Sequence, residues 1–333
     1  MSVTKSVQEV KKQIRAGLIL GAVFGTAGHS LSALGKQTLQ PQERPMTINS
    51  RFDIASVGKV FTASCCALLV TQGKLDPDAP FTEYLPEHGL GRNCKITVRD
   101  LATHTSGIDS SGFYKSTDPI EMERRIMNIT SVRPAGERFE YNCRNFILLG
   151  WILEHITGKG LEDLARDLIW KPLEMNHTVW NAPGAGPDEV EHFLPNRPPG
   201  QHNDNDCFVA GRPLGNGSCF STAGDLLLFL QDILAREHFA QEYYDLISTC
   251  TYEKDGSRRS FGWDMCERRR PRCLSEQTIC HSGFTGQTVC VDPVVGFAAV
   301  VLTNRTGDWE QANQARIGLI EMMYRANCRK GGR

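Results

Sequence analysis

The chain has 333 residues, 40% of them hydrophobic and 23% charged, with a formal net charge of −1. That length and balance suit one large globular domain or two intertwined ones, with enough apolar residues for a sizeable core. The near-neutral charge leaves no electrostatic footprint for nucleic acid or an anionic membrane surface, and no apolar run is long enough to span a bilayer.

The first predicted element is an amphipathic helix over residues 3–15, with Val3, Val7, Val10 and Ile14 at helical spacing. The apolar run from Gly17 to Phe24 has basic residues before it and small residues after it, the outline of a secretory leader. Its shortness and the helical spacing upstream favour a helix leading into a buried strand, and a cytoplasmic location. Two strands are expected, Leu18 to Phe24 and Ser30 to Leu34, joined through Gly25 to Gly28.

A helix then begins at Ser56 in the run S-V-G-K-V-F-T-A-S-C-C-A-L-L-V and continues to about Gln72, stopped by Gly73. One turn separates Ser56 from Lys59, so hydroxyl and amine share a face. A Ser is a poor nucleophile alone, and a Lys whose pKa is lowered by its surroundings can take its proton. The helix start also favours negative charge. The same four residues describe an N-cap Ser followed by a surface Lys, so the motif needs support from elsewhere.

Helical patterns continue at Val98 to Leu101, Ile120 to Ile129, Phe146 to Ile156 and Leu161 to Ile169. Pro183 to Arg212 is rich in Pro, Gly, Asn and Asp and reads as a long surface loop, of the kind that often borders a binding site. Asp225 to Arg236 is a helix capped by Ser221-Thr222. Beyond Arg259 come strand-length runs at Ser260 to Met265, Thr278 to His281, Thr288 to Asp292 and Gly296 to Thr303, and then a closing helix over 308–327. Helices in the middle and strands near both ends predict an α+β fold. Its antiparallel sheet, flanked by terminal helices, is built from 1–55 and 221–333, with a mainly helical domain over 56–220 inserted and Ser56 in the cleft between.

Twelve Cys are present without a C-x-x-C pair, and nine His without an H-E-x-x-H motif. Cys65, Cys66 and Cys290 lie in apolar patterns where a thiol is a small core residue. Free thiols in a reducing compartment are expected, with no metal and no other cofactor. The basic runs Arg268-Arg269-Arg270 and Arg329-Lys330 are short and read as a solvated loop and a solvated tail.

Three further segments carry the functional argument. They are R-D-L-A-T-H-T-S-G from Arg99 to Gly107, F-E-Y-N-C-R-N-F from Phe139 to Phe146, and H-S-G-F-T-G from His281 to Gly286. With the Ser56 motif and in this order, they resemble the class C β-lactamase-like penicillin-recognising serine hydrolases, over roughly residues 16 to 325. That group includes β-lactamases, DD-peptidases, D-aminopeptidases, esterases and acyltransferases on one β-lactamase/transpeptidase-like fold.

The resemblance implies Ser56 as the nucleophile of an acyl-enzyme, Lys59 as its deprotonating partner and Tyr141 as the proton relay toward the leaving group. It implies that His281, Ser282 and Gly283 form the cleft strand that orients substrate, with the backbone N–H groups of Phe284 and Ser56 as the oxyanion hole. His104 is read as scaffold rather than as an acid or base. One position departs from the family: its Asn two residues after the Tyr is here Cys143, a weak donor and acceptor. Asn142 or Asn145 could take over the polar role, and Cys143 and Asn145 are both expected near the substrate. The expected activity is acyl hydrolysis of a small ester or peptide-like amide. A β-lactamase, an acyltransferase and a non-catalytic β-lactam- or ligand-binding protein remain as alternatives.

Overall fold

The computed structural model describes residues 2–40, 42–111, 117–190, 197–266, 268 and 270–328. Arg269, Arg329, Lys330, the side chain of Val3 and residues 191–196 of the expected long loop lie outside them. Helix α1 (Ser2–Arg15) leads through Gly17 (φ +69°) into strand β1 (Ile19–Thr26), beside which β2 (Ser32–Thr38) and then β3 (Arg44–Pro45) run antiparallel. Strand β4 (Phe52–Asp53) pairs with β5 (Phe220–Ser221), and this small ladder brackets a helical stretch. Within the stretch lie a 3₁₀ turn (Ala55–Gly58), then α2 (Lys59–Thr71), α3 (Val98–Ala102), α4 (Pro119–Met127), α5 (Cys143–Thr157), α6 (Leu161–Ala165) and α7 (Asn205–Ala210). After β5 follow α8 (Ala223–Ala235), α9 (Gln241–Ser248) and the hairpin β6 (Tyr252–Lys254) and β7 (Ser257–Arg259). Strands β8 (Ile279–Ser282), β9 (Gln287–Asp292) and β10 (Phe297–Arg305) and helix α10 (Trp309–Cys328) complete the order.

The main sheet is six-stranded in the order β3-β2-β1-β10-β9-β8, so its two central strands come from opposite ends of the chain. They pair antiparallel, Val23 opposite Leu302 and Phe24 opposite Val301. All nine residues of β10 are buried because both faces are covered. Ala299 and Val301 face one core with Val10, Phe24, Leu319 and Ile320, under α1 and α10. Ala298, Val300 and Leu302 face the larger core of α2, α5 and α8. Helix α2 is apolar nearly all round and buried from Lys59 to Leu69, as a helix enclosed by neighbours must be.

Several expected elements differ. Ser260 to Met265 is not a strand: Gly262 takes φ +89°, a Cβ there would lie 2.2 Å from that of Ala63, and the segment bends over α2. The hairpin lies just upstream instead, turning at Asp255-Gly256 with φ +52° and +73°, the left-handed pair of a two-residue hairpin turn. The helix expected over Leu161 to Ile169 passes into a π turn at Arg166–Trp170. The region 183–212 contains α7, capped by the Asp204 side chain. Thr222 caps α8 as expected, its side chain accepting from Asp225 N.

Candidate active site

Ser56 does not open a regular helix; it lies in the 3₁₀ turn, and α2 begins at Lys59. The cause is Ala55, which takes φ +47°, a conformation that costs a non-glycine residue on the order of 1–3 kcal/mol. Neighbours hold it there. Asp53 Oδ1 accepts from Ala55 N at 2.8 Å, and Ala55 O accepts from Ser218 N at 3.0 Å. Strand β8 presses on the same turn from the other side. A Cβ on Gly283 would sit 2.7 Å from Ile54 O and 2.5 Å from Gln287 Oε1, so this strand end takes only glycine without displacement. The backbone therefore delivers Ser56 to the edge of β8.

Lys59 is fully buried. Its Nζ donates to Ser56 Oγ at 3.1 Å, to Cys143 Sγ at 3.5 Å and to the backbone oxygen of Asn216. An ammonium has three N–H groups, and each has an acceptor here. Burial by itself pushes Lys59 down, but Cys143, Tyr141 and the Asp204 carboxylate outweigh it and hold the ammonium above its ordinary value. The Lys59 nitrogen also lies 5.1 Å from the centre of the Tyr141 ring. Burial pushes the Tyr141 phenol up, while Lys59 and the Ser56 hydroxyl pull it the other way. Burial outweighs them, and the Tyr141 phenol stays above its ordinary value.

A cavity of about 360 Å³ opens beside this group. Ser56, Tyr141, His281, Ser282, Gly283 and Phe284 line it, with Phe139 and Trp309 as aromatic walls and a charged side where Arg258, Arg259 and Arg268 stand with Asp255 and Asp264. Lys59 and Cys143 lie behind Ser56 rather than on the wall. Asn145 is a correction. Helix α5 starts at Cys143, so Asn145 is turned about 200° from it around the helix axis. It is buried, accepting from Ser106 Oγ at 2.6 Å and meeting His104 Nδ1 at 3.3 Å. Asn142 is committed as well: its side chain caps α5 and donates to the carbonyls of Ile108 and Asp109.

His104 has φ +59° and is 1% exposed. Its ring lies 4.5 Å from that of Tyr141 and 5.0 Å from that of Phe146, and its Nδ1 accepts from Asn142 N at 3.2 Å. Burial first, then the charges of Arg259, Lys59 and His281, push its pKa well below the usual histidine range. It braces the Tyr141 loop as a neutral ring.

The model of the Beta-lactamase family matches residues 10–320. The chain belongs to the Beta-lactamase family. Among relatives of this β-lactamase-family chain, an N-acetylmuramyl-L-alanine amidase of Bacillus subtilis (strain 168) is 27% identical over 325 residues, covering 84% of this chain and 73% of the relative. An inferred D-alanyl-D-alanine carboxypeptidase of Escherichia coli (strain K12) is 25% identical over 313 residues, covering 80% and 72%. Among solved structures, EstCE1, a hydrolase with promiscuous acyltransferase activity, superposes with a TM-score of 0.80 at 20% identity, covering 97% of this chain and 98% of that one. This β-lactamase-family member is a serine hydrolase with the β-lactamase/transpeptidase fold.

Sequence reasoning missed three residues around the Ser56 turn. Asp53 holds Ala55, the Asn216 carbonyl receives Lys59, and Asp204 binds the Asn216 side chain. The G-N-G run at 215–217 was the available signal for Asn216, since paired glycines mark close backbone approach.

Proposed function

We propose that the protein is a serine acyl hydrolase acting on a small ester or peptide-like amide. Ser56 is the nucleophile, Lys59 its base and Tyr141 the proton carrier to the leaving group. The observation that carries this reading is the contact between the buried Lys59 amine and the Ser56 hydroxyl at 3.1 Å. The same contacts hold Lys59 as an ammonium at rest, so it serves as base only once that proton has left; as a neutral amine its lone pair then accepts the Ser56 proton while its two N–H groups stay held by Asn216 O and Cys143 Sγ. When Ser56 Oγ attacks the acyl carbon, the proton moves to Nζ, and the new ammonium meets the same three partners, so no buried donor is left without an acceptor. The backbone N–H groups of Ser56 and Phe284 receive the oxyanion. Tyr141 hands a proton to the departing oxygen or nitrogen and takes one back from the Lys59 ammonium; water then attacks the acyl carbon, its proton passing to Lys59 and from there to Ser56 Oγ as the acid leaves.

Cys143 favours the ester side of this reading. An Asn at that place could hold both the Lys amine and a substrate amide, and a thiol does neither well. β-Lactam hydrolysis, acyl transfer to an alcohol or amine, and ligand binding without turnover are the competing outcomes of one experiment. Intact mass is followed after incubation with a fluorophosphonate, nitrocefin, short-chain nitrophenyl esters and D-amino-acid amides. Ser56→Ala is expected to lose covalent labelling and to slow ester hydrolysis by on the order of 10³-fold or more. Full labelling or activity in that variant rejects the assignment.

A further inference from the structure

Behind Lys59, away from the cavity, lies a largely buried cluster of polar side chains to which the proposed chemistry gives no role. The Asn216 carbonyl that receives Lys59 belongs to a residue clamped at both ends of its side chain. Asn216 Nδ2 donates to Asp204 Oδ1 at 3.1 Å, and Asn216 Oδ1 accepts from Cys207 Sγ at 3.3 Å. The same Asp204 oxygen accepts from Cys207 N at 3.0 Å, and Asp204 N donates to Ser218 Oγ at 3.1 Å. The flanking glycines leave the backbone no slack. A Cβ on Gly217 would sit 2.4 Å from Ala55 O, and one on Gly215 would sit 2.0 Å from Phe146 O.

Several charges share this space: Lys59, Arg144 and Arg197 are the cations and Asp53, Asp204 and Asp206 the carboxylates, with Arg144 and Asp206 paired at 3.2 Å and both buried. A buried ammonium needs a counter-charge. Lys59 touches none directly: the Ser56 hydroxyl, the Cys143 thiol and the Asn216 carbonyl accept from it, with the Tyr141 phenol beside them. A carboxylate in direct contact would hold the proton on Lys59, and one residue further off its pull is weaker because the attraction falls with distance.

We propose that Asp204 is a positioning residue for Lys59, holding through the Asn216 amide the carbonyl that receives the ammonium and supplying its counter-charge from one residue away. The inference rests on Lys59 being the base for Ser56. The groups facing Lys59 are Ser56 from its own turn, Tyr141 and Cys143 from the start of α5, His104 from the end of α3, and Asp204 and Asp206 from the start of α7. Asp204 attracts the Lys59 ammonium, so removing the carboxylate lets Lys59 release its proton at lower pH.

Asp204→Asn keeps a capping side chain and an amide oxygen for Asn216 but removes the charge. The rate of fluorophosphonate labelling of Ser56 is measured against pH. The limb that reports Lys59 deprotonation is expected to move to lower pH by about one unit or more in the variant. Asn216→Ala keeps the carbonyl but frees it from Asp204, and its labelling is expected to slow by about 10-fold, or about 1.4 kcal/mol in the barrier. A variant that is slower with its limb unmoved marks Asp204 as merely structural and overturns the proposal. So does an Asn216→Ala protein that labels like the wild type, which covers the case of an Asp204→Asn protein that does not fold. Titration of the Lys59 amine by ¹⁵N NMR in the same proteins separates this inference from the assignment of Ser56. If the wild type is never labelled, the assignment of Ser56 fails, while an amine midpoint unmoved in Asp204→Asn still counts against Asp204.

Discussion

A side chain's worth at this site is set by what it returns to Lys59. The ammonium has three donors and three acceptors, and Cys143 is the weakest of those acceptors. Cys143→Asn strengthens that third contact, and its longer side chain is expected to extend from behind Ser56 toward the carbonyl of a substrate amide. We expect the ratio of kcat/KM for nitrocefin or a peptide amide to that for a nitrophenyl ester to rise by about 10-fold, or about 1.4 kcal/mol. An unchanged ratio would leave Cys143 as a space-filler. His104 gives a second residue-scale prediction, in stability rather than rate. Its folded-state pKa lies far below the value of about 6.5 that the unfolded chain gives it. Below about pH 6.5 the unfolded chain binds a proton that the folded one refuses, so the folded state loses stability as pH falls, by up to about 1.4 kcal/mol per pH unit for this one proton. Urea titrations at about pH 7.5 and pH 5.5 are expected to show that slope in the wild type and a shallower one in His104→Asn. Equal slopes would contradict the account. The positions of Ser56, Lys59, Tyr141 and His281 were readable because their spacing repeats a known order. Asn145 was misread because α5 begins at Cys143, three residues before the expected start at Phe146, so Asn145 is a buried helix position rather than part of the loop.

At the scale of elements, the active turn depends on backbones packed closer than side chains allow. Gly217 takes φ +127°, and its Cβ would lie 2.4 Å from Ala55 O and 3.1 Å from Ser56 Cα. Gly217→Ala is therefore expected to push the Ser56 turn off β8. Labelling of Ser56 should fall by at least about 10-fold, with a loss of stability of about 1–3 kcal/mol. Gly73→Ala, at another positive φ but in open space and away from the cavity, is the control and should retain the labelling rate. Sequence patterning located most helices because caps and apolar periodicity are local: Thr222 before α8 bonds to its own first turn, whereas the Asn142 cap of α5 was passed over and the helix start set three residues late. It failed at Ser260 to Met265, where the buried Phe261, Trp263 and Met265 alternate with smaller or polar residues and imitate a strand. There Gly262 bends over Ala63 of α2, a contact distant in sequence. It also passed over the Asp255-Gly256 turn, a local signal that was present.

Across the whole molecule, the parts that make the cavity come from distant stretches of the chain: the Ser56 turn, the Tyr141 loop and the end of β8. Strands β1 and β10 lie side by side at the sheet centre, and β8 joins the sheet only through β9 and β10. This arrangement sets a schedule. A chain emerging from a ribosome displays Ser56 and Lys59 early, while β1 still lacks its neighbour on one side. Until β10 is made, β1 presents an open row of backbone donors and acceptors, and the wall that Ser282, Gly283 and Phe284 provide does not exist. The nascent protein thus carries its reactive hydroxyl through most of synthesis without the surface that would let it react, and competence arrives in a single late step as the sheet closes. Chains stalled before β10 should remain unlabelled by a fluorophosphonate, however completely the segment around Ser56 has been made.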